Sequence, residues 1–474
     1  MKSGGKAVAH FGWAVTVAAT MAAWAFGCGG GSNPSRSDAG VDAGMPETTA
    51  DVPTDTGGDA ATACATGGSG QLTLAISGLD AGVVPMVRVN AGGLTTPMSL
   101  VAGTAVTLPS GPGYKIEWRR VKTAPAAGGI VGKAFYVSAS PFDGCIKSGG
   151  SVTATLTYSQ EPGSEKMWLT VANAPTLGNE IAGFTSAQLA ASGTVEPTVW
   201  KTKNFTGRGN AGAVDSSGNL WVPGGDRINM YPMATLAVAG DAAPTVIITQ
   251  PDGASANFAA FDPSGNLWIA RGAPAAENSI VRYAPADQAA SGAPTPAVAL
   301  TSSDLMNPSG LAFDSGGNLW VASQANDKVL KFGTAHLAAS YSGPADVALT
   351  AQSGPPVVGA YTSPVALAFD KTGNLWVSFI SNVVKISSAQ LAATALIDAP
   401  LALTVGTETM AFDESGGLWT AAATGVGKFQ RIPAASLATA GDVTPDIVIN
   451  SAELGDLEQL LLNPAPTWST IQDW

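Results

Sequence analysis

The ten-residue string AVDSSGNLWV at residues 213–222 decides the fold, because it returns four more times along the chain. The copies are AFDPSGNLWI at 260–269, AFDSGGNLWV at 312–321, AFDKTGNLWV at 368–377 and AFDESGGLWT at 411–420. Their tryptophans recur every 43 to 56 residues, which is the length of a four-stranded unit. This period predicts a repeat architecture in which each unit forms one blade of a β-propeller.

Each unit also contains alternating apolar residues that predict two further strands. Third strands are predicted at 228–231, 280–283, 329–332 and 383–386, and fourth strands at 245–248, 297–300, 347–349 and 447–449. A second repeat lies between them, seen at 186–192, 334–340 and 388–394. Its Ser or Thr start, followed by Ala and Leu, predicts one turn of helix.

The number of strands predicts six blades. Residues 180–184 and 197–200 form a third and a fourth strand without an inner strand, and the chain end near Leu462 supplies a degenerate inner strand. The two ends of the chain are therefore expected to pair, which closes the ring and leaves no free sheet edge. Trp168 and Trp468 compete for the tryptophan position of that blade, and seven blades is the alternative.

The repeated string resembles the motif of NHL-repeat propellers and of the related streptogramin-lyase-like repeat proteins, over residues 163–474. That motif is specific for a fold and says little about function. A streptogramin lyase would need a His, a partner acid and a divalent metal, but the chain has only His10, in the N-terminal segment, and His336, in a predicted helical turn. Gluconolactonase-like propellers would hold calcium or zinc in the central channel, whereas the inner strands here are mostly small or apolar. We therefore predict no catalytic residue, no metal ligand and no cofactor. Calcium is the alternative cofactor, and no residue pattern in the sequence supports it.

Two repeated residue types could be mistaken for a functional site. The motif acids could form a ring of metal ligands, but Asp at the start of a tight turn with a following Gly is typical of hairpin structure. The tryptophans could form a sugar-binding array, but one per blade at a fixed strand position indicates packing between sheets. The acids are Asp215, Asp262, Asp314, Asp370 and Asp413, and the tryptophans are at 168, 221, 268, 320, 376 and 419.

The N-terminus has the features of an export signal over residues 1–27. Lys2 and Lys6 precede an uncharged apolar run that ends in Ala25-Phe26-Gly27-Cys28. This segment resembles a bacterial lipobox, with Ala25 where Leu is usual, and it implies a diacylglycerol on Cys28. Residues 28–63 lack large apolar side chains and are expected to form a disordered tether. We therefore predict an exported lipoprotein anchored to the bacterial envelope, with the outer membrane favoured by Gly29 and Gly30.

Residues 64–160 are predicted to form a separate small domain. Six or seven short strands separated by Gly and Pro turns are typical of an immunoglobulin-like β-sandwich. Cys64 precedes its first strand and Cys145 its last. Because an exported protein folds in an oxidising compartment, we predict a disulfide between these two residues.

Unrepeated polar residues are expected on the face formed by the second-to-third and fourth-to-first strand connections, where a propeller can carry a binding function. The candidates are Arg208, Asp226, Arg227, Arg271, Asp304, Asn326 and Asp327. The favoured function is a non-catalytic binding or scaffolding module whose partner is a protein or a cell-surface glycan. The alternative is a metal-assisted hydrolase or lactonase. A net charge of −12 argues against nucleic acid as a partner.

Overall fold

The computed structural model describes residues 64, 66–90, 94–174, 178–202, 211–240, 243–272, 278–351, 362–379, 381–397, 401–421 and 427–469. The predicted signal, Cys28, the tether and Arg208 lie outside these residues. The described part of the chain is all-β, and its single α-helix is the four-residue Thr334–Leu337. Within that part, no helix has both the length and the apolar character needed to span a bilayer.

The first eight strands form two sheets over one apolar core. One sheet has the order β4-β1-β8-β7-β6, in which β1 runs parallel to β8, and the other has the order β3-β2-β5. β3 and β6 were not predicted, because they have only three and two residues and show no alternation. The predicted disulfide between Cys64 and Cys145 is present, with Cα atoms 5.8 Å apart. The strands are β1 (Ser69–Ser77), β2 (Val87–Asn90), β3 (Met98–Leu100), β4 (Ala105–Pro109), β5 (Lys115–Trp118), β6 (Val121–Lys122), β7 (Ala134–Ala139) and β8 (Ser151–Gln160).

The rest of the described chain consists of short strands joined by turns. The strands are β9 (Lys166–Ala174), β10 (Gly178–Thr185), β11 (Gly193–Thr194), β12 (Val199–Thr202), β13 (Ala213–Val214), β14 (Leu220–Gly224), β15 (Arg227–Tyr231), β16 (Val246–Thr249), β17 (Ala256–Phe261), β18 (Leu267–Arg271), β19 (Ser279–Tyr283), β20 (Val298–Thr301), β21 (Pro308–Phe313), β22 (Leu319–Ser323), β23 (Lys328–Phe332), β24 (Tyr341–Ser342), β25 (Val347–Thr350), β26 (Pro364–Phe369), β27 (Leu375–Phe379), β28 (Asn382–Ile386), β29 (Ala395–Leu396), β30 (Leu401–Leu403), β31 (Thr409–Phe412), β32 (Leu418–Ala421), β33 (Lys428–Ile432), β34 (Ile447–Asn450) and β35 (Asp456–Asn463).

These strands form propeller-like sheets with four antiparallel strands each, and in sheets II, III and V a fifth, two-residue strand pairs parallel to the outer strand; these strands are β24, β29 and β11. Sheet I contains β13 to β16, sheet II β17 to β20, and sheet V β31 to β34. Sheet III contains β21, β22, β23 and β25, and sheet IV contains β26, β27, β28 and β30. Sheet VI combines β35 with β9, β10 and β12. The predicted third and fourth strands all match observed strands to within one or two residues.

Sheet VI confirms the predicted pairing of the two chain ends. Its inner strand β35 pairs antiparallel with β9, which places Leu461 opposite Trp168. Trp168 therefore occupies the tryptophan position of this sheet, and Trp468 lies beyond β35. The physical reason is local: Trp168 is followed by buried Leu169 and Val171, whereas the prolines at 464 and 466 remove the backbone donors that a strand near Trp468 would need.

Each sheet packs against the next through its tryptophan. The rings of Trp221 and Phe261, of sheets I and II, meet edge to face with centroids 6.3 Å apart, and the same contact recurs between sheets II and III, III and IV, and IV and V. All six motif tryptophans are at most 2% exposed, which confirms the core-packing interpretation. Sheet VI shares one buried cluster with sheet V and another with sheet I. Truncating one of these side chains to Ala is expected to cost roughly 3–5 kcal/mol.

The second sequence repeat protects the outer edges of the sheets. Its predicted helical turns are confirmed at Gln188–Ala190, Thr334–Leu337 and Gln390–Ala392. The residue that ends each repeat accepts a hydrogen bond from the fourth strand of the neighbouring sheet. Ala299 N donates to Ser340 Oγ at 3.1 Å, and Ala348 N donates to Thr394 Oγ1 at 3.1 Å. An edge N–H that would otherwise lack a partner is thereby satisfied.

Candidate functional site

The sheets present two different ends to possible ligands. We call the end formed by the first-to-second strand hairpins the turn face; its hairpins are residues 215–219, 262–266, 314–318, 370–374 and 413–417. We call the opposite end the loop face; its described connections include 225–226, 250–255, 302–307, 324–327 and 451–455. The predicted binding residues that the structure describes, Asp226, Arg227, Arg271, Asp304, Asn326 and Asp327, belong to the loop face.

On the turn face each motif aspartate is the centre of a closed hydrogen-bond network. Asp314 Oδ1 accepts hydrogen bonds from the backbone of Gly316 and Asn318 at 2.9 and 3.0 Å, and Oδ2 accepts one from Trp320 Nε1 at 2.9 Å. Burial alone would raise the pKa of the Asp314 carboxyl, but the bonds from Trp320 and Asn318 outweigh it and hold the pKa below its usual value. The repeated acids are turn residues, as the sequence predicted.

Sheet V contains a variation of the same network. Gly417 stands where the other hairpins have Asn, and a Cβ there would lie 2.6 Å from Arg431 Nε. The space lets Arg431 Nε reach Asp413 Oδ2 at 2.5 Å. Ser415 and Asp446 also accept bonds from this guanidinium. An arginine from the third strand has replaced the missing asparagine.

Loop-face Arg271 joins three segments of sheet II. Its Nη1 contacts Asp252 Oδ2 at 2.5 Å in the connection that enters the sheet, and its Nε donates to Ser279 Oγ at 3.0 Å in the next strand. Gln250 Oε1 accepts a bond from Tyr283 at 3.0 Å beside it. Arg271 is only 8% exposed, so it fastens the loops rather than standing free in solvent.

The other predicted loop-face residues do not form one cluster. Asp304 pairs with Lys328 Nζ at 2.6 Å, and its carbonyl accepts a bond from Asn326 Nδ2 at 2.7 Å. Asp327 Oδ1 accepts a bond from the backbone of Ser363 at 2.7 Å. Asp226 and Arg227 lie at a hairpin tip, with their charged atoms 3.9 Å apart and both side chains 43% exposed. Both side chains are more accessible than those of Arg271 and Asp304.

Buried polar side-chain atoms without a hydrogen-bond partner occur in several parts of the described structure. Those near the loop face are Glu180 Oε1, Arg227 Nε, both amide atoms of Asn229, Gln250 Nε2, Asn326 Oδ1 and Asn382 Nδ2. Others lie elsewhere, among them Arg282 Nε in sheet II, Thr420 Oγ1 in sheet V and Tyr158 Oη in the small domain. An unmatched buried polar atom costs about 1–3 kcal/mol. The loop face therefore lacks the repeated, closed hydrogen-bond network that the turn-face hairpins share.

Glu180 is the acid among these groups, and the sequence analysis did not single it out. Its side chain is 1% exposed near the start of β10. Burial, with a smaller contribution from the charge of Glu453, raises the pKa of Glu180 to about 7. The positions equivalent to Glu180 in sheets I, II and III hold Arg227, Ser279 and Lys328. An acid at this position of sheet VI is therefore a departure from the other sheets, and this departure is the sequence signal that could have identified Glu180.

The central channel does not have the chemistry of a metal site in its described part. A cavity of about 160 Å³ is lined by the inner strands, chiefly by Ala, Leu, Phe and Met. Its polar side chains include Gln459, whose Nε2 donates to the carbonyl of Gly212 at 2.9 Å. Within the residues that the structure covers, no group of three His, Cys, Asp or Glu could hold a metal ion. The calcium or zinc expected of gluconolactonase-like propellers does not fit these residues.

Repeated hairpins, tryptophan-packed sheets and pairing of the chain ends define a propeller-like fold that is similar to NHL-repeat propellers. The family model described as SMP-30/Gluconolactonase/LRE-like region matches residues 170–352, which is less than half of the chain. This match confirms the predicted fold-level resemblance. No curated protein matches the sequence.

Several solved structures resemble this one. A protein of unknown function from Bacteroides caccae is 13% identical, with 63% of this chain and 98% of that chain covered and a TM-score of 0.44. Virginiamycin B lyase from Staphylococcus aureus is 13% identical, with 50% and 69% covered and a TM-score of 0.33. A luciferin-regenerating enzyme is 16% identical, with 55% and 85% covered and a TM-score of 0.39. These values transfer no activity to this chain.

Proposed function

We propose that the chain is a non-catalytic binding or scaffolding protein of the bacterial cell envelope, with a protein or surface glycan bound at the loop face. The observation that carries the proposal is the contrast between the two faces: the turn-face hairpins repeat one closed hydrogen-bond network, whereas the loop-face connections carry unrepeated polar residues. Unrepeated polar residues on the connections of a repeat scaffold are where a binding function is usually carried. The exposed pair Asp226 and Arg227 is the first contact point that we assign to the partner.

The proposed architecture is a six-bladed propeller over residues 163–474, closed by β35, and an immunoglobulin-like sandwich over residues 64–160. Support for six blades comes from the six mutually packed sheets in the described residues, and two sheets over one core support a sandwich. Residues 1–27 are the proposed signal, and residues 28–63 the proposed tether. The anchor is a diacylglycerol on Cys28 in the outer membrane.

A buried ionic contact supports the scaffolding role. Arg120 Nε contacts Glu161 Oε2 at 2.6 Å, with the two side chains 2% and 0% exposed. Asn463, the last residue of β35, accepts a bond from Arg120 and donates one to Glu161 Oε1 at 2.8 Å. These contacts fix the small domain to the closing sheet, so a partner on the loop face would be held at a defined angle.

The loop-face proposal is tested by charge reversal. The full-length chain is immobilised and exposed to a solubilised envelope fraction from the source bacterium. We expect a retained partner that is lost from the Asp226→Lys/Arg227→Glu variant but kept by the control Asp442→Lys, which changes an exposed charge in the third-to-fourth strand connection of sheet V. Equal retention by all three chains contradicts a loop-face site.

The anchor is tested separately by metabolic labelling with a radioactive fatty acid. We expect the wild-type chain to carry the label and the Cys28→Ser variant to lack it. A labelled Cys28→Ser variant, or an unlabelled wild-type chain, contradicts the lipoprotein assignment.

The family match favours a second candidate, a metal-assisted hydrolase or lactonase. Elemental mass spectrometry of the dialysed full-length chain, paired with a calcium thermal-shift titration, tests it. A stoichiometric ion that raises the melting temperature, together with hydrolysis of simple lactones, would favour the hydrolase. A chain that neither holds a stoichiometric ion nor hydrolyses lactones would contradict the hydrolase candidate.

A further inference from the structure

The C-terminal segment 464–469 runs from β35 to the turn face and fixes the position of Trp468 there. The backbone N–H of Thr467 donates to Glu414 Oε2 at 2.7 Å, and Trp468 Nε1 donates to the carbonyl of Glu414 at 3.2 Å. The Trp468 ring meets Phe412 edge to face, with centroids 6.3 Å apart. Three contacts therefore set the orientation of this indole.

Trp468 differs from the motif tryptophans in exposure. The motif rings are buried between sheets, whereas Trp468 is only partly buried. It lines three separate cavities, of about 630, 210 and 160 Å³. Because cavities reach it from several sides, part of its aromatic surface is covered by no atom of the described residues. A fixed and partly open indole can serve as a stacking platform.

The largest of these cavities, which we call the Trp468 groove, lies between the hairpins of sheets III and IV. Its volume is within the usual range of ligand sites, about 300–1,000 Å³. Trp468 and Leu391 supply apolar surface, and Ser315, Thr372 and Ser388 supply hydroxyls. The groove thus combines an aromatic wall with hydrogen-bonding groups.

The charges of the groove are balanced and largely engaged. It contains two lysines, Lys331 and Lys371, and two motif acids, Asp314 and Asp370. Lys331 Nζ lies over the Trp320 ring at 5.7 Å from its centroid. Both acids hold their own hairpins through Asn and Trp donors. Because the positive and negative charges of the groove are equal in number, the groove has no preference for a strongly charged ligand.

We infer that the Trp468 groove binds a neutral oligosaccharide, with one sugar ring stacked on the Trp468 indole. The face of a pyranose ring is a layer of C–H groups, which carry slight positive charge and suit the negative face of an indole. Its hydroxyls point outward around the ring, where Ser315, Ser388 and Lys371 provide donors and acceptors, while the Thr372 hydroxyl is engaged by Asp370 and Asn374. This site is on the opposite end of the sheets from the proposed partner site, so either can fail without the other.

The test is calorimetric titration of the full-length chain with four neutral trisaccharides: cellotriose, maltotriose, xylotriose and chitotriose. We expect at least one to bind with a Kd of about 1 mM or tighter. Binding of none of them at concentrations up to about 20 mM overturns the proposal. Pull-down on the corresponding insoluble polymers then separates recognition of a polysaccharide from recognition of a free sugar.

Variants locate the binding. Trp468→Ala should weaken the Kd about tenfold or more, and Trp468→Phe should retain part of the affinity. Because Trp468→Ala also loosens the contact with Phe412, a second variant, Ala392→Trp, fills the groove from an exposed position. It should abolish binding with an unchanged melting temperature. Unaltered affinity in Ala392→Trp and Trp468→Ala overturns the assignment, and unaltered affinity in the loop-face variant Asp226→Lys/Arg227→Glu is expected.

Discussion

The turn face and the loop face are built from the same strands, yet they treat polar groups in opposite ways. At each turn-face hairpin one aspartate takes up the donors of two backbone amides and a tryptophan. Near the loop face, six described residues keep a buried atom without a partner. The repeated motif therefore stabilises one end of the sheets, whereas the residues at the other end do not repeat from sheet to sheet.

The largest expected effect comes from breaking a turn-face network. Asp314→Ala removes the acceptor of Trp320 Nε1 and of two backbone amides, and we expect a loss of about 3 kcal/mol in stability. Thermal unfolding followed by circular dichroism measures it. Asp314→Asn keeps one acceptor oxygen and should lose clearly less. A melting temperature of Asp314→Ala within about a degree of wild type would show that the hydrogen-bond networks do not stabilise the fold.

A smaller effect is expected where the network has been rebuilt. Gly417→Asn should push Arg431 away from Asp413 and cost about 2 kcal/mol, because the added side chain occupies the space of the guanidinium. The double variant Gly417→Asn/Arg431→Lys restores the Asn and Lys that sheets III and IV use. It should be more stable than the single Gly417→Asn variant in the same unfolding assay. Additive losses would mean that the two positions are independent.

The loop face should respond to pH through Glu180. Its pKa is raised to about 7 in the fold, so the protonated form is favoured and its stabilising contribution is lost as pH rises from about 4.5 to 7. Glu180→Gln should therefore raise stability at pH 8 by on the order of 1 kcal/mol, and the difference should shrink toward pH 4. Melting temperatures across this range measure it. A difference that grows on acidification would contradict the raised pKa.

The smallest effect is expected at the exposed tip of the loop face. Asp226→Ala should change stability by less than about 0.5 kcal/mol, because the ion pair with Arg227 is long and half exposed. The same unfolding assay, run beside Asp314→Ala, gives the direct contrast between the two faces. A loss as large as that of Asp314→Ala would remove the distinction between them.

The repeat made most of the fold predictable. Asp, Gly and Trp at fixed spacing specify a hairpin, and the alternation after each hairpin located the third and fourth strands. The choice between Trp168 and Trp468 was open in the sequence because the closing sheet has one tryptophan position and two tryptophans were available for it. Strand pairing decided it, since the backbone of β9 can join a ladder and the proline-rich segment after Asn463 cannot.

The sites were less predictable because they depend on contacts between distant segments. The loop-face candidates were chosen for being unrepeated, and several of them hold loops together, as Arg271 holds Asp252. The sequence shows Gly417 where the other hairpins have Asn. It does not show that Arg431, in the third strand, makes the contact with Asp413 instead. The groove beside Trp468 depends on where residues 464–469 cross the hairpins, and no local sequence pattern predicts that path.

Closure by β35 has a consequence for how the protein folds. The outer strands of sheet VI precede the antiparallel strands of the other five sheets in the sequence, and the inner strand β35 follows them all. Until β35 pairs with β9, the apolar residues that sheet VI shares with sheets V and I are not fully covered, and exposed apolar surface of this kind favours aggregation. The last contact of the ring therefore joins segments that are far apart in the sequence, and contacts of long sequence separation are slow to form.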